Sequence, residues 1–348
     1  AAMVDPGSFT EVGSLAQFHE LDEQGNKLPP VSSSHLVGLA RVDGRPVAVS
    51  SDDFTVGAGH GGGLDRPKGG LIGGFIEDLA IEYKIPILYS LEGVGGGVSM
   101  LQDDGHALVV SSGSWEQSFR LMQEVPVLAA VCGPAAGGVA GKAVLSHFSV
   151  ITRKTGVLFA GGPPVVRRAL GRDINKFELG GAEMHTQVSG AIDNIAEDEE
   201  DAMNQMRKVL SYLPQNVWEL PPIMDIGDDP ERRTDELEKI VPMNRRRMYE
   251  ARKVIEAVAD RGSFFEIGPD WGKAVRLGFG RVGGRSVGFI SSNPMHVGGA
   301  LDGQAADKQT RFIEFCDTFH IPLVYFVDCP GFMIGPDAER GGVVRKGM

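Results

Sequence analysis

The residues best suited to chemistry are Cys132-Gly133-Pro134-Ala135-Ala136-Gly137-Gly138, which follow the apolar run Val125 to Val131. A strand that runs into a glycine pair where a helix begins leaves backbone N–H groups unpaired and pointing outward. Two such groups can stabilise the negative oxygen that develops when a thioester becomes an enolate, and glycine keeps side chains clear of the approaching carbonyl. The same residues also fit a tight strand-to-helix turn that binds nothing. Ala136 to Ala143 approaches a P-loop, but Ala136 stands where the first Gly is required and Ala143 where Ser or Thr should hold magnesium, so no ATP site is expected. Gly57-Ala58-Gly59-His60-Gly61-Gly62 matches GxGxxG and opens an alternative, an NAD-binding enzyme; Pro67 and several other residues separate it from the next helix, against the geometry that such a site needs. No GxSxG elbow occurs, and His35, His60, His106, His147 and His185 stand singly, so no metal is expected. No side chain offers itself as general base, which fits a reaction whose base arrives with a cofactor.

The elements that must position this segment repeat themselves along the chain. Val4-Asp5-Pro6-Gly7-Ser8-Phe9-Thr10-Glu11-Val12-Gly13 recurs as Ala259-Asp260-Arg261-Gly262-Ser263-Phe264-Phe265-Glu266-Ile267-Gly268. Gly38-Leu39-Ala40-Arg41-Val42-Asp43-Gly44-Arg45 recurs as Gly278-Phe279-Gly280-Arg281-Val282-Gly283-Gly284-Arg285, and Lys84-Ile85-Pro86 as His320-Ile321-Pro322. Each copy reads as two β-rich runs around a tight turn at Asp43-Gly44 or Gly283-Gly284. A helix-period segment follows, Leu71 to Tyr83 or Lys308 to Phe319, and then a short buried strand and a glycine-containing loop. This is an α/β layered fold. Copy one goes on through a helix around Trp115 to Gln123, the strand Val125 to Val131, and further units to about Leu213. Copy two matches its twin only as far as the loop Glu92 to Gly97, so it is expected to be incomplete. Pro214 to Pro242, with its prolines and the acidic run Asp225 to Asp235, reads as a linker. The expected domains are 1–228 and 229–348.

Glycine supplies 48 of 348 residues, about twice the usual share, in clusters after apolar runs where backbone must come close to a ligand or to another backbone. A net charge of −12 argues against a nucleic-acid surface, although a few N–H groups can still bind an anion. Cys132, Cys316 and Cys329 show no metal or disulfide spacing. Neither a signal peptide nor an apolar run of the ~18 residues that suggest a membrane span is present. An intracellular protein that binds no membrane is expected.

Several stretches resemble the carboxyltransferase β-subunits of biotin-dependent propionyl-CoA, methylcrotonyl-CoA and related acyl-CoA carboxylases. They are Asp5-Pro6-Gly7-Ser8-Phe9, Asp52-Asp53-Phe54-Thr55-Val56, Gly133 to Gly138, Glu178-Leu179-Gly180-Gly181-Ala182 with His185 and Ser189-Gly190, and Asp328-Cys329-Pro330-Gly331-Phe332. The resemblance implies tandem crotonase-like domains (the ClpP/crotonase ββα superhelix). The first would bind acyl-CoA through Gly95, Gly96, Gly97, Ala136, Gly161, Gly162 and Pro163, with Gly137 and Gly138 holding the enolate. The second would meet biotin at Pro330, Gly331 and Phe332. It further implies transfer of a carboxyl group from carboxylated biotin to an acyl-CoA, with biotin on a separate carrier domain. A biotin carboxylase subunit and a homo-oligomer, hexameric when full length, would complete the assembly, in the cytoplasm or in a mitochondrial matrix. Val94-Gly95-Gly96-Gly97-Val98 replaces the Ser-Gly-Gly-Ala and Arg usual there, which leaves a non-catalytic or scaffolding homologue as the other alternative.

Overall fold

Both expected hairpins form, and one device holds each of them. In the computed structural model, which describes residues 3–15, 17–22, 24–59, 74–94, 115–229, 231–244 and 247–348, Asp43 and Gly44 have φ of 51° and 79°, and Gly283 and Gly284 have 56° and 74°. Two successive left-handed residues are what the favoured two-residue hairpin turn demands. The Asp5 carboxylate accepts the N–H groups of Asp43 (2.9 Å) and Gly44 (2.8 Å). Asp260 accepts those of Gly283 (2.9 Å) and Gly284 (2.7 Å). Arg41 and Arg281 donate to the turn carbonyls of Gly44 (2.6 Å) and Gly284 (2.9 Å), and their own N–H groups donate to the hydroxyls of Ser8 (3.1 Å) and Ser263 (3.0 Å). The repeated Asp-x-Gly-Ser-Phe is therefore a clamp on the hairpin that follows it. Gly38 and Gly278 lie where a Cβ would collide with the carbonyl oxygen of Thr10 or Phe265 on the short antiparallel strand paired beside them.

The first unit comprises residues 1–185 and 195–207. Its strands are β1 (Thr10–Glu11), β2 (Gln17–Leu21), β3 (Lys27–Ser32), β4 (His35–Val42), β5 (Arg45–Asp52), β6 (Ile87–Gly93), β7 (Val127–Ala136), β8 (Phe148–Thr152), β9 (Val157–Phe159) and β10 (Asn194–Ala196). Among the described residues the main sheet has the order β1-β4-β5-β6-β7-β8-β10, with β9 paired to the end of β7, while β2 and β3 form a separate ribbon. From β5 to β9 the pairings are parallel. Helices α1 (Phe75–Tyr83) and α2 (Glu116–Glu124) precede β6 and β7. Leu71 to Gly73, where the first helix was expected to begin, lie outside the described residues. After α1, Lys84 turns left-handed at φ 53°, Ile85 N–H reaches Ala80 O (3.0 Å), and the Pro86 carbonyl takes the Ala48 N–H (2.8 Å). His320, Ile321 and Pro322 repeat these steps with φ 57° and bonds of 2.9 Å to Cys316 and from Gly288.

The second unit comprises residues 186–194 and 208–348. Its strands β11 (Phe265–Glu266), β12 (Val275–Val282), β13 (Arg285–Ser292) and β14 (Leu323–Phe326) lie side by side in that order. In their aromatic core Phe279 stacks on Tyr212, lies tilted against Phe312 and meets Phe315 edge to face. The long helix here, Gly303–Thr318, begins well before the expected Lys308, because Asp302 caps it by accepting the Ala305 N–H at 2.7 Å. The division falls at Arg207/Lys208 rather than at 228, and the first part of the expected linker is not a solvated tether. Arg281, 3% exposed, donates to the carbonyls of Ser211 (2.6 Å) and Pro222 (3.1 Å), and Met224 N–H donates to Gly284 O (3.0 Å). Prolines keep this segment extended and without a ladder of its own, so a buried guanidinium serves its backbone acceptors instead.

Asp260→Ala is expected to lower the unfolding free energy by about 2–4 kcal/mol, since charge-assisted bonds are lost and a buried N–H is left without a partner. Asp5→Ala should cost less, because Asp5 is 27% exposed and water can replace it. Urea unfolding of both variants checks the ranking.

Candidate functional site

Strand β7 runs farther than its apolar stretch, through Cys132-Gly133-Pro134-Ala135 to Ala136, because β9 supplies a parallel partner there: Pro134, Ala135 and Ala136 pair with Val157, Leu158 and Phe159. A single residue, Gly137 at φ 62° and ψ −122°, then turns the chain into helix α3 (Gly138–Val144). That conformation belongs to glycine. Gly137 is exposed and Gly138 half-buried. The expectation of two free amides at this pair is corrected: Gly137 N–H donates to the Phe159 carbonyl at 3.2 Å, as the next rung of the β7–β9 ladder. Gly137 thus makes the turn, and Gly138 is the residue whose N–H belongs to the opening turn of the helix, where the helical ladder provides no acceptor.

What holds β9 explains a signature whose role the sequence did not disclose. Helix α4 (Pro163–Leu170) leaves β9 through Gly161 and Gly162, and α5 (Lys176–Gly180) returns to it. A Cβ on Gly180 would collide with the Leu158 carbonyl, and one on Gly181 would stand 2.6 Å from Phe177 O. His185 Nε2–H donates to Leu158 O at 2.7 Å, and Gly181 bridges Val157. Glu178-Leu-Gly-Gly-Ala with His185 is therefore a brace behind β9, and through Phe159 it fixes the Gly137 turn. Within this unit the structure brings together Ala136, Gly137 and Gly138 with the exit of β9 toward Gly161, Gly162 and Pro163. Gly95, Gly96 and Gly97 lie outside the described residues, as do His60, Gly61 and Gly62. Gly59 has a structural use: at φ 65°, its Cβ would stand 2.6 Å from Glu92 O, and Gly299 at φ 78° approaches Asp328 O in the same way (2.9 Å).

The ends of the parallel strands carry acids. Asp52 Oδ1 meets His35 Nδ1 at 2.8 Å with both side chains buried, and Asp52 Oδ2 accepts the Glu92 N–H at 3.1 Å. The Glu92 carboxyl lies over Gly133, where any Cβ would strike it. Partial burial, then the charges of Glu199, Asp52 and Asp53, raise its pKa. Burial likewise pushes the Cys132 thiol up to about 11, which keeps it protonated and poorly nucleophilic near neutrality.

Pro330, Gly331 and Phe332 belong to the second unit, in an exposed loop after β14. Leu301 N–H donates to Gly331 O (2.9 Å) and Met333 N–H to Leu301 O (2.9 Å), with Gly331 at φ 125° and Phe332 45% exposed. No group of His, Cys, Asp and Glu among the described residues has the arrangement of a metal site. No helix among them is long and apolar enough to cross a membrane.

Comparison with known proteins extends these observations. The family described as carboxyl transferase domain matches residues 1–348. The propionyl-CoA carboxylase carboxyltransferase subunit of Haloferax mediterranei is 38% identical over 350 residues, covering 99% of this chain and 65% of that protein. Methylmalonyl-CoA decarboxylase subunit alpha of Veillonella parvula is 33% identical over 347 residues, 100% of this chain and 67% of its own length. A crystal structure of transcarboxylase 12S, described as a hexamer with methylmalonyl-coenzyme A and methylmalonic acid bound, superposes with a TM-score of 0.88 at 33% identity, over 99% of this chain and 66% of that one. The chain spans about two thirds of the length of these relatives.

The acidic edge has a measurable pH signature. A carboxyl whose folded pKa is raised binds protons more tightly folded than unfolded, so stability falls as pH rises from the unfolded pKa through the folded one. Glu92→Gln should therefore raise the urea midpoint relative to the unaltered chain at pH 7–8, with the gain vanishing by about pH 4. An equal gain at both ends of a pH series would contradict this.

Proposed function

Because the chain belongs to the carboxyl transferase domain family, we propose that it moves a carboxyl group between biotin and the α- or γ-carbon of an acyl-CoA, with the enolate oxygen held by the Gly138 amide. The observation that carries this reading is the junction at Gly137, where a strand braced from behind ends and a helix begins without a side-chain cap. The anion is the same whether a carboxyl is added or removed, in keeping with relatives named as a carboxylase and as a decarboxylase. A preorganised backbone donor of this kind supplies about 10²- to 10³-fold in rate, because the charge it stabilises exists only during the reaction. Ala136, Gly161, Gly162 and Pro163 line the approach as the acyl-CoA side, and Gly95, Gly96 and Gly97 keep the same proposed role.

Biotin, on a separate carrier domain, supplies the carboxyl group and, through its ureido nitrogen, the base. Pro330, Gly331 and Phe332 suit such a flat, largely apolar bicycle: Phe332 is 45% exposed with one ring edge against Gly347, while bonds to Leu301 fix the loop in advance. That loop would orient the ring, and the Gly138 helix would hold the thioester. The same proposal includes a biotin carboxylase subunit and assembly with further copies of the chain, the transcarboxylase 12S relative being a hexamer. It also includes residence in the cytoplasm, or in the mitochondrial matrix of a eukaryote.

The test is carboxyl transfer to propionyl-CoA and related thioesters by the full protein with its partner subunits. Gly138→Pro removes the amide hydrogen at a helix position that tolerates proline, and kcat should fall about 10²- to 10³-fold with binding of the thioester retained by calorimetry. Gly138→Ala keeps the amide and should act mainly on KM. Undiminished kcat in Gly138→Pro would remove this amide from the mechanism.

A further inference from the structure

The lysine of the stretch that approaches a P-loop has no place in the proposed reaction, yet it is buried. Lys142 is 8% exposed and Glu77 0% exposed, and Lys142 Nζ lies 2.8 Å from Glu77 Oε1. Tyr89, 3% exposed, donates its hydroxyl to the same oxygen at 3.2 Å, and Lys142 Nζ stands 4.9 Å from the centre of its ring. Burial and then the charge of Glu77 raise the Tyr89 pKa well above the ordinary phenol value, so the hydroxyl keeps its hydrogen. The three side chains come from α1, β6 and α3, all within the first unit.

Stability alone is a poor reason for this cluster. Two charges out of water carry a large desolvation cost, and an apolar trio of similar volume often serves stability as well or better. Glu77 Oε2 has no hydrogen-bond partner among the described residues, so the carboxylate is not even fully satisfied. What the cluster offers is direction. Helix α3 has only seven residues, too short to hold its own orientation, and its first residue is Gly138. Val139, Ala140 and Ala143 bury its inner face, and two further fastenings set its direction. A Cβ on Gly141 would stand 2.5 Å from the Trp115 indole, and Lys142, in its last turn, is tied to Glu77.

We infer that Lys142, Glu77 and Tyr89 form a positioning device that keeps helix α3 at the angle where the Gly138 N–H meets the enolate oxygen; this rests on the reading of Gly138 given above. Lys142 is a positioning residue and does not touch the substrate. A misplacement of about 1 Å is enough to cost on the order of 10²-fold in rate, and a point attachment through one ammonium and one carboxylate oxygen resists sliding better than apolar contact does.

The experiment uses the full protein with its partner subunits and measures kcat, KM for the acyl-CoA and the thermal midpoint. Lys142→Met leaves a buried carboxylate unpaired and should lower both stability and kcat. The double variant Lys142→Met/Glu77→Gln carries no unpaired charge, so its thermal midpoint should recover, while kcat stays at least about tenfold below that of the unaltered protein and KM changes less than about threefold. Recovery of kcat together with stability would overturn the inference. Tyr89→Phe removes one hydroxyl and leaves the ion pair; a drop of about two- to fivefold in kcat at constant KM is expected, and unchanged kcat counts against the inference even if the double variant fails to fold. The two readings fail separately: fast Gly138→Pro overturns the site itself, whereas slow Gly138→Pro beside a fast double variant overturns only the positioning role.

Discussion

Strand β9 lies against the last three residues of β7, and that short parallel pairing settles how the helix beyond it can start. Ladder bonding continues one step past the strand, into the Gly137 amide, which is held by Phe159. The chain must then turn within one residue at a φ that side chains disfavour, and the next amide emerges at the head of a helix. Every element around this point serves that geometry. Gly180, Gly181 and His185 press β9 from behind; Gly141 and Lys142 fasten the helix from its far end. An electrostatic site made of backbone has no side chain to adjust, so its accuracy is inherited from the scaffold.

The two copies show how little of the repeated sequence concerns ligands. Asp5 and Asp260, Ser8 and Ser263, and Arg41 and Arg281 make the same bonds to the same hairpin atoms. Gly38 and Gly278 permit the same close antiparallel pairing, and Gly59 and Gly299 the same close approach of turn to strand end. These are positions where a Cβ or a missing acceptor would prevent closure, which is why they survive as matching letters while the surrounding side chains differ. The likeness between copies is therefore a likeness of backbone construction.

Much of this was legible in the sequence. The hairpins could be read from Asp43-Gly44 and Gly283-Gly284 because a two-residue turn of that hand leaves few choices, and the α/β class followed from the alternation of strand and helix periods. The position of the glycine pair was visible too, but not its bonding: whether Gly137 or Gly138 carries a free amide depends on β9, which follows in the chain and leaves no mark on the pair itself. The brace at Gly180, Gly181 and His185 was recognisable as a pattern, yet its purpose is a contact with Leu158 that spacing cannot reveal. Lys142 is unmarked in the sequence for the same reason, since Glu77 and Tyr89 reach it from two other elements. The start of the linker is not legible because proline and acid content describe solvation, whereas Arg281 determines where those carbonyls rest.

The alternation of the chain between its units has its own consequence. Residues 186–194 belong with the second unit, and residues 195–207 return to the first. No single cut can then release both units whole: a break ahead of 186 strips the first of its closing helix segment, and a break after 207 leaves the second without the stretch that contributes Asn194 to Gly268 and Glu266 (2.9 and 3.1 Å). Swapping one half between related proteins at a lone splice point would tear one body or the other. A chimera has to exchange the short excursion together with the long segment.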